Sequence, residues 1–173
     1  MTPLLESLSK LNHSSREGFV NLIGSVFEHS PWVVEFVWPQ RPFASLDHLH
    51  SKLCEVVRES GLEKQLTLIR AHPDLVGRAA LAGALSPASA SEQASAGLDQ
   101  LTTAEIEKFQ TFNRAYREKF GFPFIICARL NKKDAILRGF EQRLPNSREE
   151  EIKTALAEIY KIAYLRLQDI VQI

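Results

Sequence analysis

The sequence predicts an all-α fold, and three observations carry that expectation. Apolar residues recur at three- and four-residue spacing along most of the chain, and Ser or Thr followed three residues later by Glu opens several of these stretches. The one continuous apolar run, at 122–128, has no second strand to pair with. With 173 residues the chain fits a single compact domain, 1–173, able to bury about two-thirds of its unfolded surface without help from a metal or a disulfide.

The elements follow in order. Leu4, Leu5, Leu8 and Leu11 after Thr2-Pro3 predict a short opening helix, with proline suited to its first turn. Ser14 with Glu17 reads as a capping box for a helix carrying Phe19, Val20, Ile23, Val26 and Phe27 and ending near His29. Ser30-Pro31 restarts the chain through Trp32, Val33 and Phe36, and Pro39 and Pro42 then break it. Ser45 opens a helix with Leu46, Leu49, Leu53, Val56 and Val57 inward, stopping at Gly61. Leu62, Leu66 and Ile69 fit a further helix. It should end just before His72, because Pro73 biases that residue away from helical torsions.

The alanine- and serine-rich stretch from Ala79 to Ala96 could pass for a linker, but the pattern Ser89-x-x-Glu92 predicts a helix start inside it. Thr102 with Glu105 caps a helix through Ile106, Phe109, Phe112, Tyr116 and Phe120 that ends at Gly121. The apolar run at 122–128 then reads as a buried turn or extended segment. Ala135, Ile136, Phe140 and Leu144 continue the helical pattern. Ser147-x-x-Glu150 opens a last helix through Ile152, Leu156, Ile159, Ile162, Ala163 and Leu167.

Composition narrows the function. Lys plus Arg and Asp plus Glu balance at 21 each, so no broad field favours nucleic acid or an anionic membrane, and a small-molecule partner fits better. The N-terminus lacks a basic region followed by a long apolar stretch, and no apolar run approaches a membrane span. The Gln172-Ile173 end carries no peroxisomal tripeptide, so a soluble, unprocessed protein is expected. Cys54 and Cys127 lie in apolar surroundings without zinc spacing, which points to the reducing cytoplasm.

Ala71-His72-Pro73-Asp74-Leu75, with Ser91-Glu92-Gln93 following, supplies a proton-transfer group, a carboxylate and an amide without metal-ligand spacing. A histidine fixed at a helix-to-loop junction can move a proton near neutrality. It can equally be a helix-end histidine bonding backbone carbonyls. Glu92 has the same double reading, since the third position of a capping box would account for it. Ser89, Ser91 and Gln93 crowd that turn, where free backbone N–H groups suit a polar ligand. Arg166, between Leu165 and Leu167, could grip a carboxylate with both prongs of its guanidinium, or form an ion pair with Asp169 or Glu158. Cys127 reads as packing rather than nucleophile. His48 and His50 point to different sides of a helix and make a poor metal pair, and His13 and His29 fall at helix ends without partners.

Five stretches in order, Ser30-Pro31-Trp32-Val33-Val34-Glu35, His72-Pro73-Asp74-Leu75, Ser89-x-x-Glu92-Gln93, Tyr116 through Phe124 and Ile162-Ala163-x-x-Arg166-Leu167, resemble the 2-oxo-4-hydroxy-4-carboxy-5-ureidoimidazoline (OHCU) decarboxylases. The resemblance implies an all-α fold of about eight helices, usually a homodimer, and a cofactor-independent carboxy-lyase. That enzyme converts the ureidoimidazoline to (S)-allantoin and CO2 late in urate breakdown. It implies catalytic roles for His72, Glu92 and Arg166. Pro73, Ser89, Ala90, Ser91, Glu92, Gln93, Phe124, Ile125, Ile126, Cys127 and Ala128 would line the substrate, with no metal and no cofactor. Two other readings stand beside it: a binding module for allantoin-like ureides that has lost turnover, and a helical interaction protein in which both motifs are structural.

Overall fold

Ten α-helices and one pair of two-residue strands form the regular structure of residues 6–172 in the computed structural model, apart from three short 3-10 turns, and the chain is all-α as expected. The count exceeds eight because the regular structure includes short helices, such as α1 (Leu8–His13), α3 (Trp32–Val37) and α6 (Arg78–Leu81). The others are α2 (Arg16–Ile23), α4 (Leu46–Glu59), α5 (Leu62–Arg70), α7 (Pro87–Ser95), α8 (Thr103–Phe120), α9 (Lys133–Arg143) and α10 (Arg148–Ile170). They fall into two compact units, one formed by the chain before His72 and after Ile159, the other by His72–Ile159.

In the first unit, β1 (Glu6–Ser7) pairs in parallel with β2 (Val171–Gln172), Glu6 opposite Val171. Ser7 caps α1, its side chain accepting from Lys10 N at 3.1 Å. Leu4, Leu5, Thr2 and Pro3 lie outside the described residues. The Ser14 capping box is displaced by one residue. Ser15 caps α2 through Gly18 N at 3.1 Å, while Ser14 ends α1 and turns its hydroxyl back to Lys10 O. Two serines in a row leave that choice to the preceding helix.

The amphipathic stripe of α4 behaves as its spacing requires. Leu46, Leu49, Leu53 and Val57 are buried with Phe19, Ile23, Val33 and Leu167, while Val56 is half-buried and Phe36 on α3 stands 57% exposed. Ser45 caps α4 through His48 N. The helix-end histidines do find partners: His13 Nδ1 lies 2.8 Å from Ser9 O, and His29 faces the Glu28 carboxylate at 3.4 Å.

The second unit is organised around aromatic rings. Phe109, Tyr116, Phe120, Phe122, Phe124 and Phe140 are essentially fully buried, each contributing roughly 1.5–3 kcal/mol by leaving water. Phe124 stacks on Phe140 with ring centres 3.8 Å apart and meets Tyr116 edge-on at 5.3 Å. Helix α8 carries the complete capping box of Thr102 and Glu105 and ends in left-handed Gly121 (φ 77°). The Ser147–Glu150 box opens α10 as expected. The run from Phe122 to Cys127 is neither strand nor helix and passes into a 3-10 turn at Ala128–Leu130. Among the described residues no helix is long and apolar enough to cross a membrane.

Candidate active site

His72 follows the end of α5 at Ala71, where Pro73 stops the helix, and its side chain is buried with only 7% of the residue exposed. The loop that continues from it is held rigidly. Gln93 on α7 accepts a hydrogen bond from Val76 N at 3.1 Å and donates from its amide nitrogen to Asp74 O at 3.3 Å. Asn113 on α8 donates to Leu75 O at 2.7 Å, and Arg117 on the same helix reaches both oxygens of Asp74 at 2.9 and 3.1 Å. Val76 is left-handed (φ 52°), a conformation that a β-branched residue adopts only when its surroundings impose it. Gly77 has no room for a side chain, since a Cβ there would sit 2.6 Å from that of Asp74.

The helix bearing Glu92 starts earlier than the sequence suggests. Ser86 caps α7 by accepting from Ser89 N at 3.2 Å, and Pro87 occupies the first helical position, where its missing N–H costs nothing. Ser89 is therefore inside the helix, and Glu92 lies in the helix body and not at the third position of a box opened by Ser89. Ser89 and Gln93, one turn apart, face inward; Glu92 is half-buried; Ala90 and Ser91 are exposed.

The segment 124–128 runs into the Ala128–Leu130 turn, which packs against α7, while Lys132 donates to Ser95 O at 2.6 Å. Phe124, Ile125, Cys127 and Ala128 are buried and Ile126 is half-buried. The Cys127 thiol is pushed up, first by burial and then by the negative charges of Glu158 and, less, Glu92. It stays protonated at neutral pH, consistent with packing and not with a nucleophile.

The structure thus gathers His72, Pro73, Ser89, Glu92, Gln93 and the 124–128 segment in one unit. Arg166 belongs to the other unit. There it is buried, donating to Glu28 Oε2 at 2.9 Å and to Ser25 O at 3.2 Å, rather than forming a surface ion pair. Sequence reasoning missed several supporting side chains. Asn113 sits between Phe109 and Tyr116 on the apolar face of α8. Glu151 heads the stripe continued by Ala155 and Ile159, and Glu158 accepts from Cys127 N at 3.3 Å. For Asn113, a polar residue at an apolar-stripe position was the available signal. Among the described residues no group of three or more His, Cys, Asp or Glu could hold a metal ion. A buried imidazole, a half-buried carboxylate and a fixed backbone segment together can orient a small polar molecule and move a proton to one of its faces.

Comparison with known proteins agrees along nearly the whole chain. Residues 12–168 match the family model described as OHCU decarboxylase. The 2-oxo-4-hydroxy-4-carboxy-5-ureidoimidazoline decarboxylase of Halalkalicoccus jeotgali is 43% identical over 164 residues, covering 95% of this chain and 91% of its own. That of Haloferax volcanii is 43% identical, covering 94% and 95%. Among solved structures, a crystal structure of (S)-allantoin synthase superposes with a TM-score of 0.77 at 28% identity. It covers 95% of this chain, which spans about half (54%) of that longer one.

Proposed function

The chain belongs to the OHCU decarboxylase family, and from that membership we propose that it catalyses the decarboxylation of 2-oxo-4-hydroxy-4-carboxy-5-ureidoimidazoline to (S)-allantoin and CO2. It is a carboxy-lyase of urate degradation, and the observation that carries its site is the Gln93 clamp. By bonding both Val76 N and Asp74 O, Gln93 ties the loop that follows His72 to the helix that bears Glu92.

The substrate supplies its own electron sink. Its carboxylate sits on the hydroxyl-bearing ring carbon, next to a ring C=N bond. When the bond to CO2 breaks, the electron pair forms a C=C bond to the ureido-bearing carbon, and the former C=N electrons move to nitrogen, which takes a proton. The resulting enol then loses its hydroxyl proton as the ureido-bearing carbon gains one, which sets the S configuration. The protein must hold the carboxylate perpendicular to the π system and present a proton to one face. His72 is assigned the proton exchange with the hydroxyl or ring, and Glu92 orients or charges its imidazole. The 124–128 backbone holds the ring and ureido groups, with Pro73 and Ser89 beside them. Gln93 acts by fixing the loop. Arg166 keeps a catalytic role by motif match alone.

The same reading takes residues 1–173 as one functional domain acting as a homodimer in the reducing cytoplasm. Two free, buried cysteines and the exposed Phe36 and Leu62 support that context. His72→Asn should fold normally and lose about 10²–10⁴-fold in rate, equivalent to roughly 3–5.5 kcal/mol of barrier. Circular dichroism of freshly generated substrate turning over to allantoin measures it. Parental rates in His72→Asn would refute the assignment, and slow racemic allantoin from the parental protein would refute the activity.

A further inference from the structure

Resting on that reading, we infer that Arg143 is the positioning residue of the ligand-binding backbone, holding Ile125 from the protein side so that Ile126 and Ala128 are presented to the substrate. Arg143 lies at the end of α9 with its guanidinium largely buried. Its Nη1 donates to Ile125 O at 2.6 Å, and its Cζ sits 4.2 Å from the centre of the Phe124 ring. Its Nε is anchored on Glu151 Oε1 at 2.7 Å. Glu151 is 0% exposed and is held in turn by Tyr116 Oη at 2.6 Å and Asn146 Nδ2 at 3.1 Å. One rigid fork therefore fixes both the carbonyl of Ile125 and the ring of Phe124.

Backbone accounting shows what this leaves over. Ile125 O is taken by Arg143, and Cys127 N by Glu158. Cys127 O accepts from Leu130 N and Asn131 Nδ2, and Ala128 O from Asn131 N. Among the described residues, no protein group meets the N–H or C=O of Ile126 or the N–H of Ala128. Successive groups of an extended chain point to opposite sides, so binding Ile125 O and Cys127 N from behind turns the Ile126 groups the other way. Gly139 on α9 permits the close approach, since a Cβ there would come within 3.3 Å of the Phe124 ring. Two donors and an acceptor in a fixed row match the carbonyl and N–H edges of a ureide ring.

The test is Arg143→Lys, with Arg148→Lys as the matched control. Arg148 also donates to a backbone carbonyl and lies over a ring, but at Phe120 and Phe122. Lysine keeps the charge beside Glu151 but lacks the planar fork that serves two acceptors at once. Arg143→Lys is expected to raise KM about tenfold, the worth of one well-made hydrogen bond, with a smaller change in kcat. It should also speed amide hydrogen exchange across 124–130; Arg148→Lys should do neither. Asn146→Ala, which removes one donor to Glu151 and leaves Arg143 in place, should shift exchange in the same direction by less.

Parental KM and exchange in Arg143→Lys would overturn the inference. If that variant does not fold, parental exchange in Asn146→Ala would do so. Exchange is read without substrate. A parental protein that fails to turn over the ureidoimidazoline would therefore defeat the proposed activity, while exchange still decides the role of Arg143.

Discussion

Two buried arginine–glutamate pairs occupy the two units of this molecule, and they differ in what the arginine holds besides its carboxylate. Glu151 receives hydrogen bonds from Tyr116, Arg143 and Asn146, and its arginine also grips Ile125 O. Glu28 pairs with Arg166 Nη2 at 2.9 Å and faces the exposed His29 ring at 3.4 Å, and Arg166 reaches Ser25 O at 3.2 Å. Desolvating a carboxylate and a guanidinium costs several kcal/mol per ion, and mutual attraction offsets that only when the remaining donors and acceptors are also met. The first pair meets this condition with several elements of one unit and fixes the 124–128 backbone. The second joins the end of the chain to the turn that follows α2.

Removing a partner should expose the difference most clearly. Glu151→Ala leaves a buried guanidinium and two further donors unpaired, so it should cost about 3–5 kcal/mol in urea denaturation. Glu28→Ala should cost within the same range but leave amide exchange across 124–128 at the parental rate, whereas Glu151→Ala should speed it; equal exchange in the two variants would overturn the contrast.

Alkaline pH offers a second, smaller probe. Burial pushes the Cys54 thiol of the first unit up from the ordinary value near 9.0 to about 11, with Arg58 only partly opposing it. The Tyr116 hydroxyl of the second unit is also raised, by burial and by its bond to Glu151. Because the folded pKa lies above the unfolded one in both cases, the folded state binds more protons above pH 9. Stability is therefore full below that pH and declines as pH rises through about 11. Melting temperatures of parental protein and Cys54→Ala from pH 8 to 11 should diverge in slope, the variant being flatter. Equal slopes would remove Cys54 from the account.

The smallest effect is expected at the exposed ion pair of the loop that follows His72. The Asp74 and Arg117 side chains are 24% and 46% exposed, so Asp74→Asn should cost about 0.2–1 kcal/mol, shrinking further in high salt. A loss well above that, measured by urea denaturation, would mean that the pair contributes more to the loop than Gln93 and Asn113 do.

Much of this was legible along the chain. The Thr102 and Ser147 boxes, the α4 stripe and the stop before His72 each follow from local rules, because caps and proline act within a few residues. Local rules failed where two neighbours competed for one role: Ser15 displaced Ser14, and Ser86-Pro87 displaced Ser89. Glu151 was hidden for a different reason. In Glu149-Glu150-Glu151 the third carboxylate looks like its solvated neighbours, and only Tyr116 and Arg143, brought in by folding, mark it as buried.

The sequence by itself determined the helical class, most helix boundaries, the motif order and the candidate residues His72 and Glu92, since periodicity, capping and ordered motifs are properties of short stretches. The tertiary structure alone decided that Gln93 clamps the loop after His72, that Glu92 lies in the body of α7, and that Arg143 and Glu158 grip the 124–128 backbone. Each of these depends on which side chain meets which backbone group across a distance in sequence, and no local pattern encodes that.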